Sequence, residues 1–196
     1  MTVSIDEIVE SVLVRLDESP AVLDDAVEYG SPWFDLRALI RSVMVEASER
    51  VILTADSCDF GEWLPLSGVA VKMGTQDISS GSILRLPDDF MRLVYIRMSD
   101  WSENVTRIAD SRDVAVSLRR HWLRRGGANH NTLAVALTYH DGGRALEIFG
   151  SATGSSVEEG GYIPRPRLQD NEMLFPPSLK GSLIDKIVEI IKAIRG

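Results

Sequence analysis

The chain has 196 residues, of which 44% are hydrophobic and 26% charged, the ordinary range of a globular protein with one domain or two small ones. A net charge of −8 argues against general nucleic-acid binding, which needs a surplus of Lys and Arg to neutralise phosphates. One cysteine, Cys58, excludes an internal disulfide and any CxxC redox or zinc pair. No stretch approaches the run of about 18 apolar residues that spans a bilayer. The opening MTVSIDEIVE also lacks the basic start and apolar middle of a secretory signal, so the protein is expected to stay in the cell that makes it.

Ser4 followed three residues later by Glu7 has the spacing of a capping box, in which each side chain satisfies a backbone N–H at a helix start. Ile5, Ile8, Val9, Val12, Leu13 and Leu16 recur at helical spacing, predicting a helix over 4–18 that ends at Ser19 and Pro20. AVLDDAVEYG is a candidate for a second short helix, stopped by Gly30. A longer helix is expected from Pro32, which suits a first helical turn, to about residue 53. Its apolar face is Trp33, Leu36, Leu39, Ile40, Val43, Met44, Ala47 and Val51.

From about residue 62 to 165 the pattern changes to β-branched and aromatic runs bounded by Gly, Pro, Asp and Ser. The runs are VAVKM, GSILRL, MRLVYIRM, NVTRI, TLAVALTY, RALEIF and VEEGGYIP, enough for a small sandwich or barrel. TLAVALTY and RALEIF are joined through His140, Asp141, Gly142 and Gly143, where paired glycines can take the positive φ of a tight hairpin. One helix interrupts the strands at about 111–125, capped by Ser111, with a Val114, Leu118, Trp122 seam and an exit at Gly126 and Gly127. GSATGSSVEEGG reads as a mobile loop. A last helix over 178–195 follows from Leu183, Ile184, Ile187, Val188, Ile191 and Ile194. The fold class expected is α+β: a helical bundle from the N- and C-terminal segments (1–60 plus 176–196) with an inserted antiparallel β-rich part (61–175), sandwich-like or barrel-like.

Candidate chemistry is sparse. His121, His130 and His140 share no metal-ligand spacing such as HExxH, and no GxSxG, GxxxxGK[ST] or GxGxxG signature occurs. The Gly-Gly pairs at 126, 142 and 160 lack the following helix start and Lys of a phosphate cradle, and read as turns. Asp56, Asp59, Asp88 and Asp89 could pair as acid and base, but Asp88 and Asp89 follow Pro87 where a turn favours Asp. Neither a catalytic constellation nor a cofactor or metal site is therefore expected, and the protein reads as a non-enzyme.

Charge is unevenly spread. Residues 1–60 hold thirteen acidic side chains against four arginines, while 112–125 hold five arginines against Asp113. The densest signal is LRRHWLRR, with Arg119, Arg120, Arg124 and Arg125 around Trp122. These arginines could complement a helix macrodipole, make bidentate pairs with carboxylates of a neighbouring subunit, or track a nucleic-acid backbone. The acidity of the rest of the chain puts nucleic acid last.

The segment Leu86-Pro87-Asp88-Asp89-Phe90-Met91-Arg92-Leu93, running into VYIRMSDW, resembles the middle of head-to-tail adaptor (ring) proteins of tailed bacteriophages, of the podovirus tail-tubular and crAss-like neck type. In that family an LPxDFxRL turn leads into a strand ending near a tryptophan, here Trp101, followed by a short Arg-rich helix and a hairpin. The order of parts is similar too: N-terminal helices, a β-rich centre and a returning C-terminal helix. The sequence ends at Gly196, directly after its last predicted helix, where longer members of that family continue into a portal-docking tail. The resemblance implies a virion structural protein, a subunit that forms a ring between portal and tail at the virion neck, assembled in the cytoplasm of a bacterial host. DNA would pass through its lumen without specific binding, and no membrane is involved. Interface residues expected on this reading are Arg119, Arg120, Trp122, Arg124, Arg125, Asp88 and Asp89, the basic helix of one copy facing an acidic surface of the next. The alternative is a β-sandwich module for carbohydrate or another small ligand, which would need a cleft lined by Trp63, Trp101 or Tyr162.

Overall fold

A computed structural model describes residues 1–16, 35–72, 82–109, 134–149, 151 and 154–195. The predicted helices over 21–30 and 111–125 lie outside the described residues. The chain divides into two compact units, one of residues 1–63 with 164–196 and the other of residues 64–163.

The first unit contains β1 (Thr2–Ser4), α1 (Ile5–Arg15), α2 (Leu36–Thr54), β10 (Leu168–Gln169), β11 (Glu172–Leu174) and α3 (Lys180–Arg195). Ser4 caps α1 by accepting the Glu7 N–H at 3.4 Å. The Glu7 carboxylate, expected to reach back to the cap, pairs with the Lys180 ammonium. Helix α2 starts at Leu36, where the Asp35 carboxylate accepts the Ala38 N–H at 3.0 Å. Helix α3 follows a 3-10 turn at Pro177–Leu179.

Ion pairs fix the helix directions. Arg37–Glu10 (2.6 Å) and Arg41–Asp6 (2.9 Å) run in opposite sequence order, so α1 and α2 are antiparallel. Lys180–Glu7 and Arg15–Asp185 run in the same order, so α1 and α3 are parallel. The buried faces are the apolar stripes: Ile8, Val12 and Leu13 of α1, Ile40, Met44 and Ile52 of α2, and Leu183, Ile187 and Ile191 of α3.

The expectation of a helical bundle closed from both chain ends is corrected here. The unit also contains a three-stranded sheet in the order β1-β11-β10, antiparallel throughout, with Val3 opposite Met173 and Leu168 opposite Met173 on its other side. Ser48 of α2, fully buried, donates to the Met44 carbonyl, and its hydroxyl oxygen lies 3.3 Å from Met173 Sδ, so α2 lies on this sheet. The Asn171 side-chain amide donates to Asp6 at 2.7 Å and the Asn171 backbone carbonyl accepts the Ile5 N–H, which ties the β10–β11 turn to the start of α1. Burying a helix stripe against a sheet is a layered α+β arrangement, and among the described residues strands outnumber helices.

The second unit holds β2 (Leu64–Pro65), β3 (Val71–Lys72), β4 (Ser82–Arg85), β5 (Phe90–Met98), β6 (Ile108–Ala109), β7 (Ala134–His140), β8 (Gly143–Phe149) and β9 (Val157–Pro164). They form two sheets, β2-β9-β5 and β3-β4-β8-β7-β6. The larger sheet is mixed, which corrects the purely antiparallel expectation: β6 pairs parallel to β7, with Ile108 opposite Val135. Residues of both sheets share one apolar core, including Leu84, Val135, Leu146 and Ile148 of the larger and Phe90, Ile96, Met98 and Tyr162 of the smaller. The β7–β8 hairpin turns on Asp141 (φ 49) and Gly142 (φ 77) rather than on the two glycines, while Gly143 opens β8 opposite His140. Among the described residues, no helix is long and apolar enough to cross a membrane.

Candidate functional site

The LPDDF segment links β4 to β5 and forms a turn fixed at several points. Leu86 is buried, and its N–H donates to the Arg144 carbonyl at 3.0 Å. Pro87 C=O accepts the Phe90 N–H at 3.0 Å, closing a β-turn with Asp88 and Asp89 at its centre. Phe90 is buried against Tyr162 of β9, ring centroids 5.7 Å apart and 23° between planes. Its carbonyl accepts Arg144 Nη1 at 3.0 Å.

The two aspartates differ in environment. Asp89 is half-buried and accepts the Tyr162 hydroxyl at 3.0 Å. Asp88 is exposed. The Tyr162 hydroxyl is pushed up to about 12, first by burial and then by its hydrogen bond to, and the charge of, Asp89. It therefore stays a neutral donor through the physiological range, and the Asp89 carboxylate stays oriented. The turn is thus a rigid knuckle with one carboxylate committed inward and one outward.

Of the sequence-derived interface residues, Asp88 and Asp89 fall on this knuckle, whereas Arg119, Arg120, Trp122, Arg124 and Arg125 lie outside the described residues. Sequence reasoning placed the turn but not Tyr162 and Arg144, which hold it from distant points of the chain. The Phe after the aspartates was the available signal, since a buried aromatic at a turn exit needs a packing partner.

Other candidates resolve into structural roles. The Asp59 carboxylate accepts the Asp56 N–H at 3.0 Å within a 3-10 turn at Ser57–Asp59. Cys58 is exposed on that turn. His140 lies 3.2 Å from the Asp141 carboxylate at the hairpin tip, and His121 and His130 are outside the described residues. Of the aromatics that a carbohydrate cleft would need, Trp101 (4% exposed) and Tyr162 (6%) are core residues, and Trp63 is exposed at 42%. Among the described residues, no group of three or more His, Cys, Asp and Glu side chains is placed to hold a metal ion.

The first unit contains a cleft of ≈ 400 Å³ lined by Val51, Ala55 and Leu179, with Asp59, Asp185 and Glu189 at its rim. Each rim carboxylate has an internal partner: the Asp56 N–H, Arg15 and Lys186 respectively. Charge also divides by unit. The first holds eighteen acidic against ten basic residues, the second eleven of each, so the net −8 belongs entirely to the first.

No family model matches the chain, and no curated protein matches it.

Proposed function

We propose that this chain is a structural, non-enzymatic subunit of a tailed bacteriophage or prophage, a head-to-tail adaptor that oligomerises into a ring between portal and tail at the virion neck. The single observation that carries this reading is the LPDDFMRL segment, whose sequence is similar to the central turn of such adaptors. That it is held as a rigid knuckle with Asp88 facing outward suits a contact surface, because a pre-ordered turn loses little conformational freedom on docking. The charge division supports the same reading. One unit carries the whole excess of acid, and the sequence 118–125 concentrates four arginines, so copies packed head to tail could match opposite charges. Partners on this reading are other copies of the chain, the portal and tail proteins, and DNA that slides through without specific binding.

The test is size-exclusion chromatography with light scattering at low and high salt, with and without the portal of the same phage. Ring-sized species, or co-elution with portal that weakens in high salt and in Asp88→Lys, are expected. A strict monomer that binds no virion component under any of these conditions refutes the proposal.

A further inference from the structure

We draw no further inference here: the strongest candidate, the ≈ 400 Å³ cleft of the first unit between the end of α2 and the start of α3, has a rim whose three carboxylates are already paired with Arg15, Lys186 and the Asp56 N–H, and nothing in the structure shows what covers it.

Discussion

Replacing Tyr162 by Phe removes one oxygen from the knuckle and leaves the ring stack on Phe90 in place. The lost bond is to an ionised acceptor, a class of contact that stabilises by about 1.5–3 kcal/mol. Because Asp89 is only half-buried, water recovers part of this, and a cost of about 1–1.5 kcal/mol at neutral pH is expected. The pH dependence is the sharper readout. The phenol titrates near 10 in the unfolded chain and near 12 in the folded one, so between those values the folded state holds the proton more tightly. Its contribution is intact below pH 10 and is lost as pH rises through about 12. Urea unfolding of the wild type and Tyr162→Phe across pH 7 to 12 isolates this contribution, because the two proteins differ in that hydroxyl alone. The difference between the two proteins should shrink steadily above pH 10. A gap that stays constant to pH 12 would show that the hydroxyl is not held as described.

Other changes test the packing. Gly68 has φ +150, and a Cβ there would lie 2.6 Å from Leu84 Cδ1, so Gly68→Ala should cost about 1–3 kcal/mol by urea unfolding, through strain and overpacking. Ile187→Ala deletes a fully buried side chain of α3 and should destabilise by about 2–5 kcal/mol in the same assay, whereas Ile194→Ala, more than half exposed, should fall within about 0.5 kcal/mol of wild type. Asp35→Ala removes the cap of α2 and should cost about 1 kcal/mol, with Asp35→Asn close to neutral. Asp141→Gly should be tolerated at its positive φ, while Gly142→Val at φ 77 should lower the thermal midpoint measurably.

The helical stripes were readable because their spacing is local. Ile8, Val12 and Leu13, or Leu183, Ile187 and Ile191, repeat within one segment and are the residues found buried. What those stripes pack on was not readable. Sheet β1-β11-β10 joins Thr2–Ser4 to Glu172–Leu174 across nearly the whole chain, and strands of two or three residues carry too few side chains to show a period of two. Thr2 and Val3 stand just before the predicted start of the first helix, and LQDNEML falls in none of the predicted strand runs. The parallel β6–β7 pair was hidden for a related reason. The run NVTRI promised one strand, but Val105 forms only a bridge to Ile96, and the strand proper begins at Ile108 on the other sheet.

The same division between local and long-range contacts runs through the LPDDF turn. Pro87, Asp88 and Asp89 announced a turn because turn preference is a property of adjacent residues, but its rigidity comes from Arg144 and Tyr162, 54 and 73 residues away from their partners. Tyr162 could serve either proposed activity, lining a sugar cleft or bracing a turn, and its residue type alone does not separate them. At 6% exposure, with its ring on Phe90 and its hydroxyl committed to Asp89, it has no face left for a ligand, and Trp101 at 4% has none either. A sugar platform needs a ring face open to solvent. Phe90, Trp101 and Tyr162 are therefore spent on holding the knuckle and its core, while Asp88 lies on the surface that a partner can meet.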